Sequence, residues 1–189
     1  MIPRWLPNAL TLVRIGLVPV WLALALTERA HALDGAPVRR LPVALLLIAL
    51  GATDVIDGWL ARRFKLATNL GATLDAVADK LASFVGVTFL TFFAVPAFTP
   101  LPVWLWIALF VRDALLGTGW LCVWLKHREV HVKHEWHGRS ATMLLFITVV
   151  AASLGAPSWA VTFGCGAVLL LVVPGTWAYM REGWRQLTA

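Results

Sequence analysis

Four carboxylates, Asp54, Asp57, Asp75 and Asp79, interrupt a stretch of chain that is otherwise apolar enough to live in a bilayer. The stretch reads DVIDGWLARRFKLATNLGATLDAVAD, with Lys80 next. At ~100° per residue, Asp54, Asp57, Gly58 and Ala61 fall at i, i+3, i+4 and i+7, one stripe of an α-helix. Gly71, Asp75 and Asp79 repeat at i, i+4 and i+8 on a second helix. Each predicted helix therefore carries an acidic face that can meet the other's, with a turn over residues 63–69 joining them. So many carboxylates in a small apolar volume stay ionised only with something cationic among them. One or two hard divalent ions suit oxygen ligands: magnesium, manganese or calcium. Gly58 and Ala61 take bulk away from the acidic face, so a ligand can approach the backbone. Arg62 and Arg63 follow at the helix end, and metals, small residues and a guanidinium together suit a diphosphate.

The surrounding chain decides where such a site sits. Its 189 residues are 60% hydrophobic and average a hydropathy of +0.78, which points to a polytopic, all-α integral membrane protein of one domain, residues 1–189. Residues 1–8, with Arg4, Trp5 and two prolines, suit a short interfacial lead-in. Six apolar segments are long enough to be read as spans: 9–26, 41–61, 69–95, 101–125, 140–155 and 159–179. The intervening loops are 28–40, 96–100 and 126–139, and 180–189 reads as a basic tail. The first apolar run competes with a cleaved signal peptide ending near Ala30-His31-Ala32. Its length and the interrupting Arg14 favour a retained span.

With six spans and a cytoplasmic N-terminus, 10 basic residues fall on the inner side: Arg4, Arg62, Arg63, Lys65, Lys126, Arg128, Lys133, Arg139, Arg181 and Arg185. Only Arg29, Arg39 and Arg40 fall outside, so both termini and the acidic cluster are expected at the cytoplasmic face, of a bacterial inner membrane. A polar cavity there could draw a soluble substrate from the cytosol and a lipid from the inner leaflet. The net charge of +6 then speaks for anionic lipid headgroups as partners and against nucleic acid, for which no motif is present. Cys122 and Cys165 lie in separate apolar segments and read as packing residues. His127, His131, His134 and His137 have a spacing that could collect zinc, but Lys126, Arg128 and Lys133 lie among them. A pH-sensitive interfacial loop is the plainer reading. Most of the 11 tryptophans suit interfacial belts.

The acidic stretch resembles the signature of the CDP-alcohol phosphatidyltransferases, D-x-x-D-G-x-x-A-R, eight residues, then G-x-x-x-D-x-x-x-D. Asp54, Asp57, Gly58, Ala61, Arg62, Gly71, Asp75 and Asp79 match it without gap or substitution. Asn8, Thr11 and Arg14 resemble the N-x-x-T-x-x-R of that family's first helix; an N-cap and a snorkelling arginine would also account for them. The resemblance implies a homodimer, a CDP-diacylglycerol donor and displacement of CMP by an alcohol. It also implies two Mg²⁺ or Mn²⁺ ions on Asp54, Asp57, Asp75 and Asp79, with Asp79 the general base. Gly58, Ala61, Arg62 and Gly71 would then receive CDP-diacylglycerol. Lys80 would pair with an acid or touch phosphate.

For the polar alcohol acceptor, DAVADK resembles the D-P-x-A-D-K of phosphatidylglycerophosphate synthases and of cardiolipin synthases in the same superfamily, with Ala76 for the proline. Arg112-Asp113 resembles the R-[DE] of their fourth helix. Gly138, Arg139 and Thr142 resemble G-K-x-x-T, with arginine for lysine and Leu145 where a glutamine often follows. Arg112, Lys133 and Arg139 are candidates for an acceptor phosphate, or else snorkelling residues at helix ends. Glycerol 3-phosphate is the expected acceptor, with phosphatidylglycerol or an inositol phosphate as alternatives. From another class comes a cation or proton transporter using the acids as a relay. That reading leaves Gly58, Ala61 and Gly71 unexplained and would want acids spread through the membrane depth.

Overall fold

A computed structural model describes residues 6–64, 69–127 and 136–188. Among them the chain is all-helical: α1 (Leu6–Leu33), α2 (Arg40–Arg63), α3 (Asn69–Phe92), α4 (Val103–His127), α5 (Trp136–Ser153) and α6 (Ser158–Thr188). By length and composition, Thr11–Leu33 and Ser158–Trp177 could each cross a membrane, and Ser140–Ser153 is a shorter apolar helix.

Several helix ends differ from the hydropathy-derived bounds, because loss of hydropathy reports side-chain polarity and not the end of a hydrogen-bonded helix. α1 starts at Leu6, inside the expected lead-in, with Pro7 in its first turn, where a missing N–H is tolerated. It continues to Leu33, well into the expected loop. Gly35 stops it at φ +73°, with Ala36 N donating to His31 O at 2.8 Å, the left-handed closure that satisfies a last-turn carbonyl. α5 ends the same way at Gly155, φ +80°, where Ala156 N donates to Ala151 O at 3.0 Å. α5 also begins at Trp136, inside the expected loop, and the expected tail is helical through Thr188. Charged and polar side chains end an apolar run without ending a helix.

The helices gather into two compact units. The first comprises Met1–Pro100 and Val149–Pro157, the second Leu101–Thr148 and Ser158–Ala189. In the first, α1 packs on α2 and α3. Its buried residues are Thr11, Arg14, Val18, Trp21, Ala25 and Glu28, alternating steps of three and four along one stripe. The middle is apolar: Trp21 meets Phe89 of α3 edge-on, ring centroids 5.6 Å apart, and α2 supplies Val43, Ala44, Leu47 and Leu50. Both ends of the stripe are polar, and by helical rise they lie about 25 Å apart.

At the Glu28 end, the carboxylate is buried and accepts the backbone N–H of Arg39 at 2.7 Å. Arg29 donates to Val95 O at 3.3 Å and lies over the Phe93 ring. Arg40 donates to Ala97 O at 2.7 Å. Sequence reading gave Arg29, Arg39 and Arg40 a topological role alone; the structure adds that Arg29 and Arg40 tie the segment after α3 to the ends of α1 and α2, and that the Arg39 backbone ties the start of α2 to Glu28 of α1. Thr99 extends the tie by donating through its hydroxyl to Ala156 O at 2.6 Å.

In the second unit α4 packs on α6, and Gly164 of α6 meets Thr148 of α5: a Cβ at Gly164 would lie 2.7 Å from Thr148 Oγ1 and 3.2 Å from its Cγ2. Close helix approach through small residues is how membrane helices gain packing without a hydrophobic driving force. Gly117, Gly119 and Gly166 would meet no described atom within 4 Å. Gly164→Ala should therefore destabilise the protein by about 1–3 kcal/mol, and Thr148→Ala in the same chain should recover most of the loss. Thermal unfolding in detergent checks both.

Candidate active site

The acidic stripe of α2 continues that helix's buried face. Val43, Leu47 and Leu50 are buried against α1, and one further step along the same repeat brings Asp54 to its polar end. On α3, Asp75 and the fully buried Ala78 sit one turn apart, with partly exposed Asp79 next. Both acidic faces thus turn toward the Thr11–Arg14 end of α1.

Arg14 joins them. Its Nη1 lies 2.7 Å from Asp54 Oδ1 and donates to Asp75 Oδ1 at 2.9 Å. The arginine side chain is 2% exposed, whereas Asp54 and Asp75 are 44% and 46% exposed. The cation is inside and the acids are open to an arriving ligand. Asp79 is near enough to feel the charges of Asp54, Asp75, Lys80 and Arg14. The sequence showed Arg14 on the same side of α1 as Asn8 and Thr11; only the structure joins it to acids 40 and 61 positions away.

Of the other predicted residues, Gly58 and Gly71 lie within α2 and α3, partly exposed. Asp57, Ala61 and Arg62 belong to α2, and their side chains lie outside the described residues. Arg112 is in the second unit, with Nη1 3.7 Å from Asp113 Oδ1 and a side chain 28% exposed. Arg139, His127 and His137 have described backbones only, and Lys133, His131 and His134 fall outside the described residues. Cys165 is a buried free thiol, packed as expected; the side chain of Cys122 lies outside the described residues.

Of the four predicted acids, Asp54, Asp75 and Asp79 have described side chains, and each could ligate a hard cation. Among the described residues no three ligand groups are already gathered around one point. Carboxylate oxygens from two helices do share one cationic nitrogen, so the donor set fits a small ion of positive charge, and its oxygens suit magnesium or manganese.

A profile of CDP-alcohol phosphatidyltransferases matches residues 4–176, which takes in α1 through most of α6 and the whole acidic stretch. The chain belongs to the CDP-alcohol phosphatidyltransferase family. It is therefore a membrane-associated transferase, and the transporter reading is set aside. The chain is 33% identical to the CDP-diacylglycerol–glycerol-3-phosphate 3-phosphatidyltransferase of Bacillus subtilis over 96% of each protein. An Arabidopsis thaliana chloroplastic/mitochondrial protein of the same activity name is 28% identical over 96% of this chain and 64% of its own length. The CMP-forming cardiolipin synthase of Streptomyces coelicolor is 36% identical over 59% of this chain and 47% of its own.

In EDTA, Asp54→Asn and Asp75→Asn should each remove one of the two carboxylates that share Arg14 Nη1, and the double variant removes both. The double variant should lose more stability than the two single losses together, by about 1–2 kcal/mol. Thermal unfolding of the four proteins checks it; additive losses would mean that the two acids do not share the arginine.

Proposed function

We propose that the chain transfers the phosphatidyl group of CDP-diacylglycerol to glycerol 3-phosphate, forming phosphatidylglycerophosphate and CMP. The observation that carries this is the full-length similarity to the Bacillus subtilis phosphatidyltransferase of that name. Within the same chemistry, similarity to the Streptomyces coelicolor cardiolipin synthase keeps phosphatidylglycerol as the second acceptor to test.

In this reading Asp79 takes the proton of the acceptor hydroxyl as its oxygen bonds to the lipid-side phosphorus. The bond from that phosphorus to the CMP oxygen breaks, and CMP leaves. A carboxylate does this only within about 3 Å of the hydroxyl. Asp54, Asp57, Asp75 and Asp79 would hold Mg²⁺ or Mn²⁺, and two such ions would neutralise the diphosphate and the departing CMP oxygen. Gly58, Ala61 and Gly71 leave space for the cytidine diphosphate. Arg62 would give its phosphates a charge-assisted hydrogen bond, and Arg112, Lys133 and Arg139 are the candidates for the acceptor phosphate by residue type. Six spans with both termini in the cytoplasm would put this chemistry in a polar cavity at the inner face, in a homodimer. The charge asymmetry of the loops supports that orientation.

The test is CMP release in detergent with glycerol 3-phosphate, phosphatidylglycerol and inositol phosphate supplied in parallel. Glycerol 3-phosphate should support release, and EDTA should abolish it. Asp79→Asn should lower kcat at least ~100-fold, and Arg112→Gln should raise KM for glycerol 3-phosphate about tenfold or more, with a smaller change in kcat. Release with phosphatidylglycerol alone would make the enzyme a cardiolipin synthase.

A further inference from the structure

Arg14 is a buried charge to which the proposed reaction gives no task. It sits 2% exposed on α1, between acids of two other helices, with Thr11 buried one turn before it on the same stripe. A buried guanidinium is held in place only if its charge is compensated, and Asp54 and Asp75 do this through one nitrogen. Asp79 stands close enough to sense the same charge, and exposed Lys80 is the other base beside it. Asp54 and Asp75 each give Arg14 their Oδ1 while remaining nearly half open. An arriving divalent ion would seek those same oxygens and would meet the guanidinium there.

We infer that Arg14 is the internal counter-ion of the acidic site: it holds Asp54 and Asp75 together while no divalent ion is bound, and competes with that ion for their oxygens. The inference rests on reading the acids as metal ligands. Arg14 is a positioning residue, acting on substrate only through the carboxylates it orders. Its single positive charge also makes the cluster less attractive to a second cation, since like charges a few ångströms apart repel strongly where water is scarce. Such a counter-ion keeps the three helices docked between catalytic cycles, and sets the divalent-ion concentration at which the site loads.

The experiment compares the full-length wild-type protein with Arg14→Gln and Arg14→Lys, using Mn²⁺ itself as the probe. Free Mn²⁺ is followed by electron paramagnetic resonance, and unfolding is followed in EDTA and in saturating Mn²⁺. Glutamine keeps a donor and removes the charge. Arg14→Gln should melt lower than wild type in EDTA, gain more from Mn²⁺ than wild type does, and bind it about tenfold more tightly, roughly 1.4 kcal/mol. Arg14→Lys keeps the charge and should bind Mn²⁺ within about threefold of wild type. A purely structural arginine would lower the melting temperature equally with and without metal. Equal losses, unchanged or weaker Mn²⁺ binding by Arg14→Gln, or matching affinities for both variants would overturn the inference. So would an Arg14→Gln protein that Mn²⁺ stabilises no more than it does wild type. Metal-dependent CMP release by wild type beside any of those results would leave the proposed reaction standing. A wild-type protein that binds no Mn²⁺ would overturn both.

Discussion

One arginine joins three helices. Arg14 of α1 reaches Asp54 of α2 and Asp75 of α3 through the same guanidinium nitrogen, and the packing of the first unit runs outward from that junction. Charges inside an apolar bundle are tolerated only in compensated groups, because the desolvation of each must be offset by partners of fixed geometry. The acids fix the rotation of α2 and α3 about their axes, and the arginine fixes that of α1. The apolar rows then follow by helical repeat: Val18, Trp21 and Ala25 on α1, and Leu50, Leu47 and Val43 on α2.

The same stripe of α1 ends in a second polar group that has nothing to do with the acids. Glu28 receives the backbone of Arg39, and Arg29 and Arg40 fasten carbonyls of Val95 and Ala97. α1 is thereby pinned at both ends, with an apolar middle in which Trp21 and Phe89 set the spacing to α3. A reactive site assembled from single side chains on different helices needs its supports held to within a fraction of an ångström. The polar groups at the far end supply part of that rigidity without touching the site.

Much of the site was legible before any coordinates. Asp54 and Asp57, then Gly71, Asp75 and Asp79, repeat at helical spacing, and their cost in an apolar chain announces a shared purpose. The family signature, read on the same residues, agreed with the profile match over residues 4–176. Less legible were the helix ends. Hydropathy falls at residues 27–33 and 136–140, yet α1 and α5 run through those stretches, because backbone hydrogen bonding continues past the point where side chains cease to be apolar. Gly35 and Gly155 decide where α1 and α5 stop, through a backbone conformation that side-chain hydropathy does not report.

Sequence alone determined the helical class, the acidic faces of α2 and α3, and the family, since each depends on residue type and local spacing. It could not determine which base answers which acid. Arg62, Arg63 and Lys80 are near the acids along the chain and Arg14 is 40 residues from the first of them, but ion pairing depends on distance in space. Tertiary packing brought Arg14 to Asp54 and Asp75, because the buried stripe of α1 is in contact with both acidic helices. Packing also turned Gly164 into a contact with Thr148, while Gly117, Gly119 and Gly166 meet none of the described residues, a difference that composition cannot contain because it arises only where two helices meet.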